Sequence, residues 1–165
     1  MSFTTVYDIM QQNVDYSLAK KSFIFFIVGI LSILFTKGKR NENRTYKKYF
    51  YLGIAFVTFS ILWMFSIGGI EYTARHSGMN AMIDKKYEII EGQVENYEPM
   101  LHSGHANEKF DVNKVHFEYS DFELGGIGYH NAASYGGVVK EGLNVRITYL
   151  PVDSINPILK LEIAK

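Results

Sequence analysis

Residues 49–70 read YFYLGIAFVTFSILWMFSIGGI, twenty-two positions without one Asp, Glu, Lys or Arg. An α-helix rises about 1.5 Å per residue, so about 20 residues cross the roughly 30 Å of bilayer hydrocarbon. This stretch is therefore long enough to span alone. It is apolar on every side, which excludes a helix lying in the membrane surface with one polar face. Upstream, residues 22–36 (SFIFFIVGILSILFT) give a second charge-free run of only fifteen. Lys20 and Lys21 precede it, and their methylene stems can extend the apolar zone while the ammonium groups reach the headgroups. The 95 residues from 71 to 165 are too few to bury two such helices on all sides. The expectation is a membrane α-helical hairpin: spans at 22–36 and 49–70 joined by a connector at 37–48. A cleaved leader is the alternative for the first run. Against it stand Asp8 and Asp15 in the preceding segment, and the absence of a small-x-small site before Thr36-Lys37-Gly38-Lys39-Arg40.

Charge divides the chain. Among 165 residues, 17 Lys+Arg balance 17 Asp+Glu, but residues 1–48 carry eight basic and three acidic side chains while 71–165 carry nine and fourteen. A phosphate-backbone binder needs clustered Lys/Arg, so the acidic C-terminal part argues against nucleic acid. The absence of cysteine excludes disulfides, thiolate metal sites and a cysteine nucleophile. Basic residues near spans face the cytoplasm. The connector holds six, against five in Lys20, Lys21, Arg75, Lys85 and Lys86 on the other side. The topology expected is a multi-pass protein of the plasma (inner) membrane, with connector 37–48 cytoplasmic and both termini outside. In the N-terminal segment 1–21, Val6, Ile9, Met10, Val14 and Leu18 stand at roughly helical spacing and suggest a short surface helix.

After an irregular polar linker at 71–86, residues 87–165 read as an all-β domain. Ile90, Gly92 and Val94 share one face of a strand; Phe110 and Val112, then Val115, Phe117 and Tyr119, alternate with polar residues. The apolar phase switches across Asn113-Lys114, which a two-residue turn explains, with Asn tolerating φ > 0. Leu143, Val145, Ile147 and Tyr149 alternate again, and Ile158 to Ala164 closes the chain. Five to six short strands without an intervening amphipathic helix suggest a small curled antiparallel sheet or barrel, OB-like or SH3-like.

The runs EGQVENYEPM (91–100), GHANEKFDVNKVHFEYSD (104–121) and YHNAASYGGVVKEGLNVRITYL (129–150) resemble a family of small uncharacterised bacterial membrane proteins. Its members carry one compact β-domain beside one or two transmembrane helices. The resemblance covers roughly residues 88–163 and implies that architecture, without an activity.

Several constellations invite chemistry. His102, His105 and Glu108, with His116 nearby, could ligate a metal, which takes three or four N/O ligands; loop histidines are more commonly solvated. Gly125-Gly126-Ile127-Gly128 lacks the following helix a phosphate cradle needs, so bulges and tight turns explain it. Ser120-Asp121 with His116 or His130 lacks a nucleophile elbow. Glu118, Asp121 and Glu123 read as an exposed strand face, and Glu91, Glu95, Glu98 and Glu108 as a solvated acidic one. No catalytic residue and no cofactor are assigned. Within the spans, Gly29, Ser32, Ala55, Ser60, Gly68 and Gly69 allow close helix approach, and no ionisable group marks an ion pathway. Tyr97, Tyr119, Phe122, Tyr129 and Tyr135 gather around turns and strand ends as a possible partner-binding set.

The sequence therefore points to a membrane-anchored binding or accessory module. Its partners would be the lipid bilayer and a protein or second copy of itself. The alternatives are an immunity or envelope-stress factor and, further off, a small metal-dependent hydrolase.

Overall fold

A computed structural model describes residues 2–13, 17–101, 106–152 and 155–165. The chain divides into a sheet unit (Met1–Val14 and Tyr72–Lys165) and a helical unit (Asp15–Glu71). The elements in order are β1 (Phe3–Asp8), α1 (Ser17–Thr36), α2 (Arg44–Ile83), β2 (Glu88–Glu98), β3 (Glu108–Val112), β4 (Val115–Tyr119), a 3-10 turn at Ala133–Tyr135, β5 (Asn144–Tyr149) and β6 (Ile158–Ala164). The fold is thus a long helix and a shorter one with a six-stranded antiparallel sheet.

In the helical unit α1 and α2 lie antiparallel. Phe25 faces Phe56, with ring centroids 6.3 Å apart. The Ser32 hydroxyl donates to the Tyr49 carbonyl at 2.9 Å. The closest approach is at Gly29 and Gly53, where a Cβ on either glycine would sit 2.8 or 2.9 Å from the carbonyl oxygen of the other. Only hydrogen fits there, so one glycine from each helix sets the separation. Along α2 within the helical unit the buried residues Gly53, Ser60 and Ile67 recur every seventh position. That is close to two helical turns, so the three share one face. Gly68 and Gly69 face open space instead. Among the described residues one helix, α2, is long and apolar enough to cross a membrane.

The sheet has the order β1-β6-β5-β2-β3-β4, with every neighbouring pair antiparallel. It does not close, so the barrel reading falls and a six-stranded open antiparallel sheet stands in its place. Its two edges are protected differently. Beside β4, the Glu118 N–H donates to the Ile155 carbonyl and Asn156 Nδ2 to the His116 carbonyl, at 3.3 and 2.8 Å. At the other edge, β1 is short and its register shifts between Thr5 and Tyr7, a bulge of the kind that discourages further pairing.

Two sequence expectations are corrected here. The N-terminal segment forms β1 rather than a surface helix. Phe3-Thr4-Thr5-Val6-Tyr7 is β-branched and aromatic, and pairing with β6 satisfies its backbone. Asp8 ends the strand by accepting the Met10 N–H at 2.9 Å. Val14 lies outside the described residues. The polar stretch 71–86 is not an irregular linker, because α2 continues to Ile83. Its small residues Ala74, Gly78 and Ala81 are buried, and a Cβ on Gly78 would meet Ile9, Ile127 and Leu159 within 3.4 Å. This contact offsets the poor helix propensity of glycine. The helix stops at Lys85, which is left-handed at φ 56°, while the Lys86 N–H bonds back to the Ala81 carbonyl at 2.9 Å.

The sheet consequently buries both faces over β6. Ile158 and Leu161 join the main core with Val94, Phe110, Phe117, Val145 and Ile147. Leu159 faces the opposite way and packs with Ile9 and Ala81. The β3–β4 hairpin matches expectation, with Val112 opposite Val115 and both turn residues left-handed (Asn113 φ 48°, Lys114 φ 70°). Asn113 further donates to the Glu91 carbonyl at 2.7 Å. Lys114 carries a Cβ where glycine fits without strain. Lys114→Gly should therefore stabilise the sheet unit by about 0.5–1 kcal/mol, read as a higher denaturation midpoint; an unchanged or lower midpoint contradicts the turn geometry.

Candidate functional site

The polar centre of the sheet unit is Glu108. It continues the inward phase of Phe110 and Val112 along β3, so its side chain is carried into the core and is fully buried. This overturns its reading as part of a solvated acidic face; the in-phase spacing 108, 110, 112 is the signal that reveals it. Both carboxylate oxygens are engaged. The Tyr119 hydroxyl donates to Oε1 at 2.5 Å and the Ala133 N–H to Oε2 at 2.7 Å. A buried carboxylate requires such partners.

The surrounding phenols respond to this centre. Burial, then the hydrogen bond to Glu108, drives the Tyr119 hydroxyl far above its ordinary range. Burial, then the Glu108 charge, pushes Tyr97 up to about 12. Burial is also the main cause for Tyr129, which Glu108 and Asp121 raise further. Of the three, Tyr119 is the one that donates to the carboxylate.

Glu108 acts together with Asp121 on the loop after β4. Asp121 accepts the Ala132 N–H at 2.8 Å and the Ser134 hydroxyl at 3.2 Å. The Tyr129 hydroxyl accepts the Val138 N–H at 3.3 Å. Two carboxylates thus cap the 3-10 turn at Ala133–Tyr135, whose far end closes through left-handed Gly136. At Gly137 a Cβ would sit 2.1 Å from the Asn131 carbonyl oxygen, so this glycine is required by close backbone approach.

The result is a surface feature. Phe122 and Tyr135 stand edge-to-face with centroids 6.5 Å apart, and they are 50% and 65% exposed. Phe122 is fixed from behind by its N–H to Ser120 Oγ at 3.2 Å. It also lines an open groove of about 270 Å³ with Asn107, Glu118, Tyr119, Glu123 and Ile155. The aromatic set expected from sequence therefore splits. Tyr119 and Tyr129 belong to the core, Tyr97 is half-buried, and Phe122 and Tyr135 remain as the exposed pair.

The other candidates are dispersed. His102 and His105 lie outside the described residues. Among the described residues no group of three His, Asp or Glu side chains could hold a metal ion. His116 Nδ1 lies 2.8 Å from Asp111 Oδ1. Asn96 and then His116, hydrogen-bonding to it, hold the Asp111 carboxyl below its usual range. His130 Nδ1 lies 2.9 Å from the Gly128 carbonyl. Ser120 bonds Met100 Sδ and the Phe122 N–H, and Asp121 is committed to the loop, so these residues are not arranged as a triad. Gly125 and Gly128 are left-handed turn residues (φ 72° and 91°), and Gly128 lies directly against the Ile158 backbone. This is tight-turn geometry, not a phosphate cradle at a helix start.

No family model, curated protein or solved structure matches this chain.

Removing the Glu108 side chain would strand the Ala133 N–H and the Tyr119 hydroxyl in the core, at a cost of about 3 kcal/mol. Glu108→Ala should lower the denaturation midpoint accordingly and speed amide exchange at 132–138 relative to β5. Equal protection at 132–138 would show that the carboxylate does not hold the loop.

Proposed function

We propose that this chain is a membrane-anchored binding or accessory module, whose sheet unit lies outside the cytoplasm and presents Phe122 and Tyr135 to a protein partner. The observation that carries the reading is the outward surface of α2. Over its charge-free stretch, Phe59, Leu62 and Phe65 are 54%, 63% and 71% exposed. Large apolar side chains in that density favour hydrocarbon over water by about 25 cal/mol per Å². The six basic residues of the connector support placing residues 37–48 in the cytoplasm.

The exposed aromatic pair supports the binding role. Protein–protein hot spots favour aromatic side chains that are already rigid before contact, since less side-chain entropy is lost on binding. Here two carboxylate anchors and a serine hydroxyl provide that rigidity. An accessory role needs no catalytic group, and the neutral phenols and committed carboxylates around Glu108 suit a structural centre.

Two results are expected together. The full chain stays in the membrane fraction after alkaline carbonate extraction. A photo-crosslinking amino acid at Tyr135 captures one discrete protein in native membranes, and Phe122→Ala reduces that capture at least several-fold. Release by carbonate contradicts the anchor; crosslinking only to lipid, or to many proteins equally, contradicts the recognition role.

A further inference from the structure

We infer that α1 crosses the bilayer together with α2, so that the helical unit is a two-pass hairpin whose outer surface fits lipid hydrocarbon on both helices. The inference rests on the membrane anchoring proposed above and deepens it. Its core is a parity argument. β1 lies before both helices and β6 is the last strand, yet they pair from Phe3 opposite Ala164 to Asp8 opposite Lys160. The pairing continues at both ends, where the Lys165 N–H donates to the Ser2 carbonyl at 2.9 Å and the Ile9 N–H to the Leu159 carbonyl at 3.0 Å. Strands of one sheet cannot stand on opposite sides of a bilayer. The chain between residues 9 and 88 must therefore cross it an even number of times. If α2 crosses once, another segment crosses back, and α1 is the other apolar helix in that interval.

By length and composition alone α2 is the described helix that qualifies as a span, and the charge-free run of α1 is only fifteen residues. The helix itself is longer. Its 20 residues reach about 30 Å, the hydrocarbon thickness, with exposed Lys20 and Lys21 placed to snorkel at one end. Its outward side chains suit lipid, with Ile24, Leu34 and Phe35 64%, 65% and 77% exposed. Its polar groups are satisfied as a bilayer demands. Thr36 donates to the Ser32 carbonyl at 2.6 Å and Ser32 to Tyr49 at 2.9 Å, while Ser60 of α2 donates to the Phe56 carbonyl at 2.7 Å. The Gly29–Gly53 approach is the small-residue contact by which helices associate in lipid. Parity also operates independently of the thin Lys/Arg margin, since the sheet keeps both flanks together whichever way the hairpin points.

The chain has no cysteine among its residues, so single-cysteine labelling is free of background. Full-length Ser2→Cys, Gly38→Cys and Lys165→Cys variants are exposed to a membrane-impermeant maleimide in intact cells, then after permeabilisation, with carbonate extraction in parallel. The expected result is that Ser2→Cys and Lys165→Cys label alike, Gly38→Cys falls in the opposite class, and all three variants resist extraction. Three sites labelling alike in an extraction-resistant protein would overturn the hairpin while leaving an anchor. Ser2→Cys and Lys165→Cys in opposite classes would overturn the parity argument. Release by carbonate would overturn the anchor and the hairpin together.

Discussion

The pairing of the first strand with the last organises this protein. Residues 3–8 and 158–164 are separated by nearly the whole chain, yet they form neighbouring strands, so everything between them belongs to one closed excursion. The entropic cost of bringing such distant segments together grows only slowly with loop length. Within this excursion α1 returns on α2 through the Gly29–Gly53 contact, and the end of α2 packs on the back of β6. Ile9, directly after β1, meets Gly78 and Leu159, so the same short segment adds the edge strand beside β6 and packs on the end of α2. Loss of this pairing would uncover the β6 edge and one wall of the second apolar cluster.

Buried charge supplies the second constraint. A fully buried carboxylate is costly unless its oxygens are hydrogen-bonded. Glu108 meets that demand by recruiting the Tyr119 hydroxyl and a loop amide rather than solvent. The requirement turns a local liability into loop order, because the amide at Ala133 is where the chain turns back. Asp121 repeats the device two residues from the end of β4. The glycine-rich stretch after it is consequently a braced structure, and Phe122 and Tyr135 inherit their orientation from the brace. The proposed recognition role therefore traces to the buried Glu108 and the half-buried Asp121 behind the exposed pair.

Local patterns in the sequence foretold the parts governed by neighbours in the chain. The alternation at 110–119 and the left-handed Asn113-Lys114 turn were legible because a hairpin is specified by its own residues. The β5 and β6 segments were legible for the same reason. What escaped depends on distant partners. Phe3 to Tyr7 has strand composition, but Ile9 and Met10 beside it imitate helical spacing, and only β6 decides between them. Residues 71–83 look like linker because their inward face is Ala, Gly and Ala, small residues that signal close packing only when the opposing surface is known. Glu108 was visible in its phase with Phe110 and disguised by its charge. The burial of Tyr129 and the exposure of Tyr135 followed from the path of the 129–137 loop, which Asp121 fixes at long range.

The central claim is that the N-terminal strand completes the sheet within the same molecule. It is tested most directly by a disulfide between positions 5 and 162, which face each other and whose side chains already meet at 3.4 Å (Thr5 Oγ1 to Glu162 Oε1). In a Thr5→Cys/Glu162→Cys chain carrying a protease site in the 37–48 connector, oxidation in native membranes followed by cleavage should leave the two fragments joined until reductant is added. Fragments that separate without reductant, or that join only between two molecules, would contradict the account.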